Sequence, residues 1–182
     1  MTTTGQLWPY RGIRPTLHES VFIAPGTHVI GDVHIGEGAS LWFNCVARGD
    51  VNSIRIGART NIQDGTIVHV TGGRFATSIG NDVLIGHQCI VHGCRLEDES
   101  FVGMGATVMD GCVIERAGML GAGSLLSPGK TVKSGQLWVG RPARYVRELT
   151  AEEVVANRQA VVHYMKLAQE YRAATGTLPR QP

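Results

Sequence analysis

Apolar residues recur along this chain every six positions. Aliphatic side chains fall at Ile23, Val29, Ile35 and Leu41, again at Ile56, Ile62 and Val68, and again at Ile79, Ile85 and Val91. A last register runs from Leu96 through Val102, Val108, Ile114, Leu120 and Leu126 to Val132. Glycine follows the aliphatic residue at Gly36, Gly57, Gly80, Gly86, Gly103 and Gly121, and small residues such as Thr27, Cys45, Thr66, Cys89, Ala106 and Cys112 stand four places after it. Six is neither the period of a helix nor plain strand alternation. It describes short strands joined by tight turns, with the aliphatic and small residues facing inward and glycine relieving the corners. Three such hexapeptides close a triangular coil of about 18 residues, and stacked coils pair at a strand spacing of about 4.7 Å. The pattern predicts an all-β solenoid, a parallel β-helix of hexapeptide repeats. A β-sandwich would need turn signals every 8 to 12 residues or so and leaves the sixfold register unexplained.

Three interruptions break the register: Arg48-Gly49-Asp50-Val51-Asn52, the stretch from Thr71 to Thr77, and a one-residue deletion between Val91 and Leu96. Solenoids eject insertions as loops on their faces, and two of the three flank a group of histidines. Past Val132 the register fades into Gly140-Arg141-Pro142-Ala143, a turn where proline cannot donate to a strand ladder. A C-terminal α-helix follows. Thr150 is its N-cap, Glu153 holds the reciprocal capping-box position, and Leu149 with Val154 forms a hydrophobic staple. Val154, Val161, Met165 and Ala168 share one stripe, which predicts packing on a solenoid face or in a subunit groove. The expected organisation is a β-helix with an N-terminal extension over residues 1–147, the helix over 148–174, and a flexible tail over 175–182.

Composition narrows the function. A chain of 182 residues fits one domain with a real core. Lys and Arg number 17 against 15 Asp and Glu, which gives no electrostatic footprint for nucleic acid or an anionic membrane. The first residues, Met1 to Gln6, carry no charged or apolar targeting region, and no apolar run approaches the roughly 18 residues of a membrane span. A soluble, cytoplasmic protein is expected. Cys45, Cys89, Cys94 and Cys112 form no CxxC pair, which suits buried thiols in a reducing compartment.

The candidate chemistry lies in three histidines. His69 follows Val68 and His92 follows Val91, so each is the second residue of its hexapeptide. If the insertion within Thr71 to Thr77 is ejected, the two stack on one face about one strand spacing apart. His87 is third in the hexapeptide begun by Ile85, one face earlier, and cannot easily turn back to meet them. A cyclic homotrimer solves this, with His87 of one subunit completing the site of its neighbour. Three imidazoles leave a position open on a tetrahedral metal, which points to catalysis rather than structure. Zn²⁺ is the first choice, with Fe²⁺ and Co²⁺ also suited to imidazole. The plainer reading makes these histidines polar face residues; His18, His28, His34 and His163 lack any such relation and are read that way.

These residues resemble the γ-class carbonic anhydrases and their bacterial hexapeptide homologues. The likeness runs from Pro9-Tyr10 through the C-terminal helix and rests on Arg48-Gly49-Asp50, Asn61-Ile62-Gln63-Asp64-Gly65, His69, His87-Gln88-Cys89-Ile90-Val91-His92-Gly93-Cys94 and Gly103-Met104-Gly105. The resemblance implies a left-handed β-helix trimer with metal between subunits. It places His69, His87 and His92 as ligands and Gln63 on metal-bound solvent or bicarbonate. It makes Asn61 and Asp64 polar neighbours, Arg48 with Asp50 a pair at trimer contacts, and Tyr164 the residue leaning from the helix toward the metal. Plainer roles stay open: a surface ion pair for Arg48 and Asp50, a turn residue for Gln63, helix packing for Tyr164. One departure stands out. Where the family's archaeal prototype has a glutamate after Arg-Gly-Asp and another on an acidic loop, this chain has Val51 and an acid-free loop from Thr71 to Thr77.

The function implied is metal-dependent, reversible hydration of CO₂ to bicarbonate, slowed by loss of the acidic proton shuttle. The alternatives are an acyltransferase or thioesterase acting on a CoA thioester, because the solenoid serves such enzymes too, and a catalytically inactive metal-binding trimer.

Overall fold

The computed structural model describes residues 5–175. The hexapeptides wind into a parallel β-solenoid of about seven turns, of the left-handed hexapeptide type, followed by one helix. Its first face stacks Gln6–Trp8, His28–Ile35, Val46–Ile56, Ile67–His69, Ile90–His92, Thr107–Val108 and Leu125–Leu126. The two long strands His28–Ile35 and Val46–Ile56 turn onto the second face. There they meet Thr16–Leu17 on one side and Thr77–Ile79, Arg95–Leu96, Val113–Ile114 and Thr131–Val132 on the other. The third face runs Phe22–Ile23, Ser40–Leu41, Asn61–Ile62, Leu84–Ile85, Phe101–Val102, Met119–Leu120 and Gln136–Gly140.

The sixfold aliphatic positions make the core. On the first face Leu7, Val29, Ala47, Val68, Val91, Val108 and Leu126 lie in one register, and all but Leu7 are fully buried. Each such side chain withdrawn from water contributes about 1.5–3 kcal/mol for residues the size of Val or Leu.

The corners are built differently from the sequence expectation. The residue in the left-handed conformation is the one three places after the aliphatic residue. It is not always glycine: Asn44, Arg59, Asp82, Gln88, Glu99 and Ala117 all have φ between 53° and 61° there. The glycine directly after the aliphatic residue is needed for space instead. A Cβ on Gly57 would stand 2.4 Å from the Gly80 carbonyl oxygen of the next coil.

Of the three interruptions, the first does not leave as a loop. The strand Val46–Ile56 runs through it, with Gly49 to Ile54 facing only Gly31 to Val33 of the preceding coil. The surplus residues bulge outward while both strand ends keep their partners. The stretch from Thr71 to Thr77 is ejected, closed by a bridge between Thr71 and Phe75. At the deletion, only Gly93 and Cys94 separate the strands Ile90–His92 and Arg95–Leu96.

After Gly140 the chain turns at Arg141 and Pro142 and returns as an antiparallel strand, Ala143–Glu148, along Gln136–Gly140. The helix spans Ala151–Thr175. Its cap is reciprocal: Glu153 N–H donates to Thr150 Oγ1 (3.2 Å) and Thr150 N–H to Glu153 Oε2 (2.9 Å). The helix packs on the third face, where Phe22, Ala24, Trp42 and Ala168 form a second buried cluster with Phe43, Tyr164 and Leu167 against it. Arg158 on the helix donates twice to Glu99 at a solenoid corner (2.9 and 2.6 Å), fixing its rotation. Residues 176–182 of the expected tail lie outside the described residues.

Candidate metal centre

His69 and His92 are direct strand partners, each ending a three-residue strand on the first face. His69 Nδ1 and His92 Nε2 face one another at 3.0 Å. The outer nitrogens are held by carboxylates. His69 Nε2 meets Asp50 Oδ1 at 3.1 Å, and His92 Nδ1 meets Asp110 Oδ1 at 2.6 Å. The bulge of the first interruption places Asp50, and Arg48 in turn donates to it.

His87 is elsewhere. It stands at the corner that precedes this face, whereas His69 and His92 stand at its far end, so the width of the face separates them. His87 Nδ1 meets Asp64 Oδ2 at 2.7 Å. That contact follows from the register Ile62 to Ile85, which stacks the third residue of one hexapeptide on the third of the next. Nearby on the third face, Gln63 Nε2 donates to Asn61 Oδ1 at 3.2 Å, and both residues are buried. Tyr164 crosses the ring of Trp42 edge-on at 5.4 Å between centroids. Burial and then the charge of Asp64 push the Tyr164 phenol up, which puts it within electrostatic reach of the His87 half.

The chain therefore carries two separate histidine clusters. One holds His69, His92, Asp50 and Arg48; the other holds His87, Asp64, Gln63, Asn61 and Tyr164. Among the described residues, no three His, Cys, Asp or Glu side chains converge as a ligand group. All three histidines nevertheless share one design, with one ring nitrogen fixed by an aspartate and the other turned away from it. Metal-binding imidazoles are oriented in this way.

The pair His69 and His92 fits such an ion. Two nitrogens on one tetrahedral zinc stand about 3.3 Å apart at bond lengths of about 2.0–2.1 Å, so the pair needs to open by only about 0.3 Å. Electrostatics favour ligation as well. Burial is the main force lowering the His69 pKa, with Arg48 and His92 adding to it against the pull of Asp50, so the uncharged ring is favoured. Burial opposes the charge on Asp50, yet hydrogen bonds from Arg48 and His69 together prevail and hold its carboxyl below the usual range. Asp110 behaves likewise, with His92 and Thr71 supplying the hydrogen bonds and Arg74 a further favourable charge.

Comparison with known proteins bears on this arrangement. Residues 14–49 match the family model described as bacterial transferase hexapeptide (six repeats). The chain is 48% identical over 164 residues to Gamma carbonic anhydrase 1, mitochondrial, of Arabidopsis thaliana, covering 87% of this chain and 60% of that protein. It is 40% identical over 167 residues to a carbonic anhydrase of Geobacillus kaustophilus, covering 92% of this chain and 91% of that one. The chain belongs to the γ-class carbonic anhydrase family. It spans about three fifths of the plant member's length and nearly all of the bacterial member's. Among solved structures, a hexapeptide transferase family protein of Anaplasma phagocytophilum is 48% identical at a TM-score of 0.87, covering 91% of this chain and 97% of that one. Proteins similar to this chain are thus named for both chemistries, so the site must argue between them.

Sequence reasoning left the outer partners of the histidines unassigned. For His87 the signal was present, because Asp64 and His87 occupy the same slot in successive coils. Asp110 was missed, since it is third in its hexapeptide while His92 is second in its own, and the diagonal contact arises where the deletion after Val91 shortens the corner. No helix among the described residues is long and apolar enough to cross a membrane.

Proposed function

We propose that the protein forms a cyclic homotrimer that binds one metal ion, zinc by first choice, at each subunit interface and catalyses the reversible hydration of CO₂ to bicarbonate. His69 and His92 of one subunit and His87 of the partner subunit would hold the ion. The observation that carries this reading is the matched set of aspartates, Asp50, Asp64 and Asp110, each fixing one nitrogen of one histidine. Assembly is supported by the outer side of the first face, where exposed Ile67 and Ile90 stack in register between the two half-sites. Zinc, when bound, supplies the Lewis acidity that brings the pKa of a ligated water to about 7, the value known for carbonic anhydrase itself.

The chain's own residues do the rest. His69 and His92 would present their facing ring nitrogens, and the aspartates stop the rings from turning. Gln63, tethered through Nε2 to Asn61, has its Oε1 to accept a hydrogen bond from the attacking water and so aim the water's lone pair at CO₂. Tyr164 closes this side of the site beneath the helix. Val51 is exposed and the loop from Thr71 to Thr77 has no carboxylate, so proton export falls to buffer, and turnover should rise with buffer concentration. Four buried, unpaired thiols support a cytoplasmic, reducing setting.

The test is metal analysis with CO₂ hydration on the purified full chain. One ion per chain and buffer-dependent hydration are expected, and alanine at His69, His87 or His92 should abolish both. Acetyl-CoA turnover without metal would replace this reading with acyl transfer. A metal-loaded trimer inert even at high buffer would replace it with a binding role.

A further inference from the structure

The excursion from Thr71 to Thr77 carries no acidic residue, yet it is held at several points. Thr71 is its node. The Thr71 N–H donates to Phe75 O at 2.9 Å, and the Thr71 carbonyl accepts from the amides of Arg74 (3.3 Å) and Phe75 (3.1 Å) and from Asn52 Nδ2 (3.2 Å). Gly72 stands against Val51, with a Cβ there only 3.4 Å from the Val51 Cβ. The loop is thus braced on the bulge that carries Asp50. Two of its side chains bond the solenoid: Thr77 Oγ1 donates to the His69 carbonyl at 2.6 Å, and Thr71 Oγ1 to Asp110 Oδ2 at 2.8 Å.

Asp110 is the carboxylate whose other oxygen meets His92 Nδ1 at 2.6 Å. Its place is cleared and covered. Gly93, with φ 54°, leaves a space that a Cβ would close, because that atom would stand 2.3 Å from Asp110 Oδ1. Phe75 lies over the same corner, its Cβ 2.9 Å from the position of a Gly93 Cβ and its ring 3.2 Å from that of a Gly111 Cβ. The Arg74 guanidinium rests 5.0 Å over the Phe75 ring and adds a favourable charge toward Asp110. A loop kept only as a remnant would need none of this.

We infer that Asp110 is a positioning residue for His92 and that the Thr71 to Thr77 loop is the strap that holds Asp110 in place. The inference rests on the proposed metal-binding reading. Removing one orienting partner of a ligating histidine typically weakens metal binding by about 10 to 100-fold. A carboxylate fixed at both oxygens cannot rotate away from the imidazole, so cutting the Thr71 contact should act in the same direction and less strongly.

The experiment is zinc affinity of the full chain by competition with a chromophoric chelator, with melting temperature measured on the metal-free form. Asp110→Ala should lose about 10 to 100-fold in affinity and Asp110→Asn less, while Thr71→Val should lose several-fold and Thr71→Ser should recover it. The Co²⁺ form of Asp110→Asn should also show a displaced visible absorption band. Wild-type affinity and band in all these variants would overturn the inference, as would a lowered melting temperature with affinity unchanged, which describes a merely structural strap. If the wild-type chain binds no zinc while folding normally, the metal-binding reading itself falls and this inference falls with it. Wild-type binding that His92→Ala destroys and Asp110→Ala spares would overturn the strap alone.

Discussion

At the scale of single residues, the buried threonines explain how stacked coils are joined inside. Thr66 is fully buried; its hydroxyl donates to Gly86 O at 2.9 Å and accepts from Cys89 N–H at 3.0 Å in the next coil. Thr60 does the same between Gly80 O and Val83 N–H, at 2.7 and 3.0 Å. At corners without such a hydroxyl the two backbone groups meet directly, as Ala106 N–H does with Gly103 O at 3.1 Å. The threonine is therefore inserted into a turn's own hydrogen bond. Thr66→Val keeps the shape and strands both backbone groups, so it should cost about 1–3 kcal/mol. Urea denaturation would show this as a lower midpoint with unchanged slope; a midpoint equal to wild type would mean that the corner closes on itself when the hydroxyl goes. The small residue four places after the aliphatic one was legible in the sequence. Its hydroxyl's role was not, because period alone does not say that the partner lies in the next coil.

Whole elements were read with uneven success, and the differences have physical causes. The hexapeptide strands were legible because burial on one side repeats with the backbone period. The helix start was legible because Thr150 and Glu153 carry a local chemical signal. The return strand Ala143–Glu148 was not expected: most of it is exposed and pairs only with Gln136–Gly140, so no alternation of burial marks it. The helix cap also gives a pH prediction. Hydrogen bonds from Arg147 (2.8 Å, twice) and from the Thr150 backbone bring the Glu153 pKa down from 4.5 to about 2. A depressed carboxyl pKa adds stability that is fully present above the unfolded value and disappears as pH falls through the folded one. Wild type should thus melt above Glu153→Gln at neutral pH, with the gap closing between about pH 4.5 and pH 2. Melting curves across that range check it, and a gap independent of pH would assign the cap to shape rather than charge.

For the molecule as a whole, the decisive feature is the separation of the two histidine clusters by the width of one face. Counting hexapeptides was enough to group His69 with His92 and to set His87 apart, and the register of the strands has the first two paired directly. What counting could not give was the aspartate behind His92, since the diagonal contact with Asp110 depends on how a one-residue deletion turns the corner. On the proposed reading each cluster is half of a shared site, which makes a complementation experiment possible. His87→Ala lacks the donor half and keeps the acceptor half; His69→Ala with His92→Ala lacks the acceptor half and keeps the donor half. Each variant alone should bind no zinc and hydrate no CO₂. Unfolded, mixed in equal amounts and refolded together, they should regain about one quarter of the wild-type sites, because a cyclic interface is restored only where an intact acceptor meets an intact donor. Mass measurement should give three times the 19.6 kDa chain throughout. If the mixture stays as empty as its parts while remaining trimeric, the three histidines do not share a metal across subunits, and the two half-sites must serve separate purposes.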